Sequence, residues 1–439
     1  MGIWIQAREM ASNTPENRNR YVDFLRALSI LFVISGHWLI ATAFFNQDTR
    51  VLTPVTVLDV MPSTLWLTWI FQVMPIFFIV GGYSNAVSLE SARKKQIRYA
   101  DWLVSRLHRL LSPMLLLIAF WVIVSFAMNL FGADQKTIIF ASQAALVPTW
   151  FLAIYAMIVI LAPLTYAFWR KFGLASLLVY ILMAVLVDLA FFNLDWQWLG
   201  WSNYFWVWLA AHHLGFVWRD GKLDNSALQI CLAIGAFATF ASLIFYGPYP
   251  LAMAGSPEGD AVSNTLPPKI TLIALGLFQF GLLRFMENPV KRLLENNSFW
   301  AAIIIINTMI MTVYLWHMTV LITVFVISYF ADGFGLSMEV GSQAWWWTRP
   351  IWLLTLTVLL LPIALALSPL ERIGRPEGAT TPASWRLILG AAFVGFGLVF
   401  ATLFGLAGNL LDWKTVTAIS LILVGAATCG LTPQLKKST

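Results

Sequence analysis

Charge is scarce in this chain: Asp, Glu, Lys and Arg make up 11% of 439 residues, against 59% hydrophobic residues and a mean hydropathy of +0.77. A soluble fold of this length needs more polar surface than that, and the apolar residues come in runs long enough to cross a bilayer. Cysteine is scarcer still. Cys231 and Cys429 both lie inside apolar segments, which excludes a disulfide framework and a thiolate metal site. The five histidines show no zinc-type spacing with glutamate, so no metal is expected, and there is neither a Gly-rich phosphate loop nor a nucleic-acid module. Long polar stretches are missing too. With loops of at most about 20 residues, a soluble catalytic domain is excluded, and any chemistry falls to residues within or at the ends of helices.

What the chain does have is apolar segments, at about 24–45, 64–86, 110–131, 150–168, 173–192, 201–218, 226–246, 268–287, 299–328, 349–369, 386–407 and 414–430. The expected fold is all-α and polytopic, with about twelve spans. A segment 1–23 precedes a ten-helix core, 24–370; a connector, 371–385, carries Gly374, Arg375, Pro376 and Pro382; a two-helix hairpin, 386–430, and a tail, 431–439, follow. The first apolar segment is too long for a signal h-region and lacks a cleavage pattern, so the N-terminus is expected to stay in the cytoplasm. That orientation places 22 Lys and Arg inside and five outside: Arg50, Lys136, Lys269, Arg349 and Lys414. Both termini are then cytoplasmic, in a multi-pass protein of the inner (plasma) membrane. The basic excess is explained by this bias, with the bilayer and not nucleic acid as partner.

Arg26 and His37 stand on the first span, eleven residues apart. On a helix that separation is three turns plus about 20°, so both share one face about 16 Å apart along the axis. If Arg26 marks the inner interface, His37 falls near the middle of the hydrocarbon, where an ionisable group is a functional candidate.

Further motifs follow in order. The run Tyr21-Val22-Asp23-Phe24-Leu25-Arg26, continuing to Gly36-His37, resembles the opening helix of the acyltransferase-3 family, whose marker is an Arg, ten residues and a His. Met74-Pro75-Ile76-Phe77-Phe78-Ile79-Val80-Gly81-Gly82-Tyr83 is similar to that family's Phe-Phe-x-x-Ser-Gly-Phe segment, with Gly81 in place of Ser and Tyr83 in place of the last Phe. Arg106-Leu107-His108-Arg109 resembles its basic Arg-x-x-Arg element. Trp150-Phe151-Leu152 resembles the start of its fourth helix, and Tyr314-Leu315-Trp316-His317 its late Tyr-Leu-Trp-His element. The resemblance covers about 20–370. It implies a membrane O-acyltransferase that moves an acyl group, acetyl foremost, from acyl-CoA to a hydroxyl of an envelope saccharide or glycolipid.

The chemistry of the residues suits this. Acyl-CoA carries several phosphate charges, for which Arg106 and Arg109, three apart on a helix, are the expected ligands together with Arg26. Acyl transfer to a hydroxyl needs a base, and His37 is the candidate. Asp23, three residues before Arg26, is placed to orient it by an ion pair. No permanently bound cofactor is implied; acetyl-CoA is a substrate.

Tyr83, Trp150, Tyr314 and His317 are further site candidates. Of the adjacent pair His212 and His213, one must face away from any shared site. Gln72, Gln279 and Asn307 read first as interhelical bonds, and Asp188 as a carboxylate near a boundary where solvation is cheap. The tryptophans at the outer boundaries read as an aromatic belt. The glycine-rich hairpin suits packing or docking, either a homo-oligomer contact or an envelope-assembly partner. The alternative class is a transporter or flippase of an anionic lipid-linked substrate; against it, the two halves show no repeat with matched broken helices.

Overall fold

The computed structural model describes residues 3–15, 18–255, 262–371, 379–409 and 411–431. The elements run α1 (Ile3–Ser12), α2 (Arg20–Ile40), β1 (Ala41–Asn46), β2 (Val51–Thr56), α3 (Val57–Val60), α4 (Leu67–Phe71), α5 (Met74–Lys94), α6 (Tyr99–Leu130), α7 (Gln135–Leu146), α8 (Thr149–Phe172), α9 (Leu174–Asn193), α10 (Asn203–Arg219), α11 (Ser226–Tyr246), α12 (Ile270–Leu293), α13 (Asn297–Thr308), α14 (Ile310–Phe330), α15 (Gln343–Glu371), α16 (Ser384–Phe404) and α17 (Trp413–Thr428). Short 3-10 turns occupy Pro62–Trp66 and Gln197–Ser202. Among the described residues, ten helices are long and apolar enough to span a membrane. The remaining two expected spans correspond to α10, of 17 residues, and α17, of 16. The protein is an all-α, polytopic membrane protein.

Several boundaries differ from the sequence expectation. Span 24–45 ends as a helix at Ile40, and Ala41–Asn46 turns into a strand paired antiparallel with Val51–Thr56, Ala41 opposite Thr56. The Asn46 side chain makes the turn, accepting from the Asp48 and Thr49 amides at 2.9 and 3.0 Å. Span 64–86 is interrupted at Gln72 and Val73, and span 299–328 at Met309. The third span starts earlier than its apolar run, since charged residues end hydrophobicity without ending a helix. The amphipathic α7 lies where a loop was expected. The connector's Gly374, Arg375 and Pro376, and the tail from 432 on, lie outside the described residues.

The chain divides into two discontinuous units. The first comprises Met1–Leu89, Ala162–Ile310 and Asp332–Pro350. Its centre is α10, buried continuously from Val207 to Val217, which crosses α5 at backbone contact. A Cβ on Gly82 would overlap the His212 carbonyl, and one on Gly215 the Ile79 carbonyl, so only glycine fits either position. Asp188 is not solvated as expected: at 2% exposure its carboxylate accepts from Asn203 Nδ2 at 2.8 Å, Tyr249 hydroxyl at 3.0 Å and the Ile270 amide at 2.8 Å. It thereby satisfies an orphan donor at the start of α12. Burial and the neighbouring carboxylate push the Tyr249 phenol up, which keeps it a donor. The Gln72 interruption is closed within the protein. Gln279 Nε2 donates to the Gln72 carbonyl at 2.8 Å, and the Gln72 side chain bonds Met253.

The second unit comprises Glu90–Leu161, Met311–Ala331 and Ile351–Thr439. Here α6 is joined to α14 by Trp121 Nε1 donating to Thr319 Oγ1 at 3.0 Å. Helices α16 and α17 meet through small residues, Gly390 lying against Cys429 and the Gly425 carbonyl, and Gly397 against Ile422. The turn after α16 reaches α6 and α7: Gly405 sits on the Ile139 carbonyl and Gly408 on that of Ser125, both with φ in the left-handed region that favours glycine.

Candidate active site

In the first unit, α2 begins at Asn19, whose side-chain oxygen accepts from the amides of Tyr21 and Val22. Its amide nitrogen donates to the Tyr83 hydroxyl at 3.1 Å, so the cap also seats the end of the Gly81-Gly82-Tyr83 segment. One turn on, Asp23 is 8% exposed. Its carboxylate takes Arg18 Nε at 2.7 Å on one oxygen and Arg26 Nη1 at 3.0 Å on the other. Arg26 Nη2 donates to Ser84 Oγ at 3.1 Å, and Asn307 Nδ2 donates to the Asp23 carbonyl at 2.9 Å. A partly buried guanidinium pinned on two nitrogens keeps a defined direction, which suits recognition of an anionic group. His37 lies on the same helix but in its last turn, where its carbonyl accepts the Ala41 amide. The helix is shorter than the expected span 24–45: α2 stops at Ile40, so the imidazole stands close to its C-terminal end.

The structure thus brings Asp23, Arg26 and Tyr83 into one neighbourhood through Asn19 and Ser84, with His37 farther along α2. Arg18, Asn19 and Ser84 were not singled out from the sequence. Asn19 was legible as an N-cap ahead of an apolar run; Arg18 and Ser84 carry no signal of their own.

The other candidates are in the second unit. Arg106 and Arg109 do not open α6, which starts at Tyr99, but sit in its second and third turns. Arg106 lies 5.8 Å from the centre of the Trp102 ring, and Arg109 is exposed. Pro113 lacks the N–H that would bond the Arg109 carbonyl, so that acceptor is released from the helical ladder. Ahead of the helix, the Arg98 guanidinium donates to the Asp101 carboxylate, and that hydrogen bond holds it above its ordinary value. Tyr314 and His317 share a face of α14. Tyr314 hydroxyl donates to the Pro148 carbonyl at 2.8 Å, in the corner between α7 and α8, beside Trp150. His317 is 0% exposed, and its Nδ1 lies 2.6 Å from the Tyr314 carbonyl. A carbonyl only accepts, so Nδ1 carries the proton and, in the neutral ring, Nε2 carries the lone pair.

His212 and His213 are fully buried on α10. His212 Nε2 is 3.1 Å from Asn85 Nδ2, and His213 Nδ1 is 3.1 Å from the Leu209 carbonyl.

Ten helices long and apolar enough to cross a membrane among the described residues define an integral, multi-pass membrane protein. A family model described as an acyltransferase domain matches residues 19–369, four-fifths of the chain, and the chain belongs to the acyltransferase-3 family. It is a membrane acyltransferase. The match ends before α16, so α16 and α17 lie outside it. Comparison with curated proteins gave no match, and comparison with solved structures gave none either.

Proposed function

We propose that this protein transfers an acyl group, acetyl in the first instance, from acyl-CoA to a hydroxyl of an envelope saccharide or glycolipid. The observation that carries the reading is α2 itself: a guanidinium fixed by Asp23 near one end, an imidazole in the last turn at the other, and about 16 Å between them. That separation is comparable to a pantetheine arm. The Lys and Arg bias supports a cytoplasmic position for the Arg26 end, in the inner membrane with both termini inside. The donor then arrives where the arginines are, and the acceptor reaches His37 from the opposite face.

In the transfer, His37 takes the proton of the acceptor hydroxyl as its oxygen attacks the thioester carbonyl. The carbonyl electron pair returns, the C–S bond breaks, and the CoA thiolate leaves and recovers the proton. Arg26 holds the donor's polar portion, while Arg106 and Arg109 bind its phosphates as wet, cationic groups ahead of Pro113. His317, with its Nε2 lone pair, is a second imidazole for the same chemistry. The transporter reading gains nothing from the break at Gln72, since its carbonyl accepts from Gln279 and its side chain donates to the Met253 carbonyl.

The test is His37→Ala in purified protein. Turnover should fall by about 10²-fold or more, the scale of a general base, with insertion unchanged. Normal acylation by a well-inserted variant would eliminate the mechanism. Mass spectra of envelope lipids and glycans with and without the gene identify the acceptor.

A further inference from the structure

The terminal hairpin lies beyond the family match, yet it is bound to the element that orients His317. We infer that α16 and α17 are a positioning element for that imidazole, which rests on the reading of His317 as a working group of the acyl transfer.

The observations form a continuous chain within the second unit. The Leu406 amide, just past α16, donates to Ser142 Oγ at 2.7 Å, and Gln143 Nε2 donates to the Leu403 carbonyl at 2.6 Å. Both partners are on α7. At the next corner, Thr402 Oγ1 lies 3.1 Å from Thr149 Oγ1. Gly405 and Gly408 let the turn come down on the carbonyls of Ile139 and Ser125 with no room for a Cβ. Four of these points therefore hold α7 and the start of α8 against α16 and the turn after it, and the fifth seats that turn on α6. Between those two helices stands Pro148, whose carbonyl takes the buried Tyr314 hydroxyl, and the Tyr314 carbonyl in turn holds His317 Nδ1.

Each link constrains the next. A phenol hydroxyl bonded at its tip fixes the rotation of α14 about its axis, because Tyr314 is 3% exposed and has no other route to water. The imidazole, bonded to a carbonyl one turn back, follows that rotation and keeps its Nδ1 tautomer. Shifting the Pro148 corner by a fraction of an ångström shifts Nε2. The hairpin is thus turned inward: its glycines are filled by its own second helix and by α6 and α7, which leaves its bulky residues, Phe396 and Leu423 among them, facing outward.

The experiment uses the full-length protein in detergent, with kcat, the KM for acyl-CoA and the ring-nitrogen NMR shifts of His317, assigned by their loss in His317→Gln. Thr402→Val removes the hydroxyl at constant shape, and Gly408→Ala lifts the turn from Ser125. Both should lower kcat by about 10- to 100-fold, the cost of a small misplacement, with KM held within about twofold. Both should also change the His317 ring from one tautomer to a mixture. Thr402→Ser should restore both readouts, and Thr428→Val, on the exposed side of α17, should alter neither. A normal kcat in Thr402→Val and Gly408→Ala, with His317→Gln inactive, overturns the inference and leaves the role of His317 standing. So does a lowered kcat with an unchanged ring-nitrogen pattern, which marks a merely structural contact. Full turnover by His317→Gln removes His317 from the reaction, and this inference with it.

Discussion

The polar groups beside α2 and α12 in the first unit and those beside α14 in the second are directed by different means. In the first, Asp23 is held between two guanidiniums, and Glu287 between Arg284 and Lys291. In the second, the groups around α14 are neutral: a phenol on a carbonyl, an imidazole on a carbonyl, an indole on a hydroxyl. An ion pair near a helix end draws on water to offset desolvation and is weakened by salt. A neutral bond to backbone needs no such solvation and stays directional inside the hydrocarbon. The contrast shows why one candidate site can stand at helix ends and the other deep in a span.

The largest break would come from the α5–α10 crossing. Gly82→Leu or Gly215→Leu forces a side chain into a backbone carbonyl, and overpacking of that kind costs about 3 kcal/mol or more. Neither variant should yield folded protein by detergent size exclusion, while Gly395→Ala on α16, where the nearest atom is the Ala153 Cβ at 3.8 Å, should elute and melt as wild type.

Tyr314→Phe tests the neutral side of the comparison. Losing the bond to Pro148 should cut kcat about tenfold at every ionic strength, since nothing charged is removed. A salt-dependent defect would count against the contrast. On the charged side, Asp23→Asn should lower kcat/KM by about three- to tenfold in dilute buffer, and the gap from wild type should narrow as salt is added. If the gap held constant to high salt, the pair would not be working through charge. The smallest effects belong to Arg106→Gln and Arg109→Gln, each raising the KM for acyl-CoA by about two- to fivefold with kcat kept, and added salt should imitate them. A fall in kcat alone would remove the phosphate role.

Much of this was legible in the residues. Segments 226–246 and 173–192 fall within a residue of α11 and α9, because uninterrupted apolar runs between polar boundaries leave little choice. The strand Ala41–Asn46 was hidden since Ala43, Phe44 and Phe45 continue the hydrophobicity of α2. The break at Met309 has neither proline nor glycine to mark it. For the site, the Asp23–Arg26 contact follows from a spacing of three on a helix, whereas the partner of Tyr314 is 166 residues away and no local pattern points to Pro148.

That distance, and the greater one from Thr149 to Thr402, has a meaning in time. The two threonines are 253 residues apart, and at about 5–20 residues per second a ribosome needs roughly 13–50 s to separate their synthesis. Through that interval α7 and α8 are made before their partners: the seats on Ser125 and Ile139 stand uncovered, and the Pro148 corner lacks its hold on the α16 side. The second unit is closed by helices that emerge after the family match, so a chain cut short before α16 during translation carries every residue of that match and still lacks its clasp.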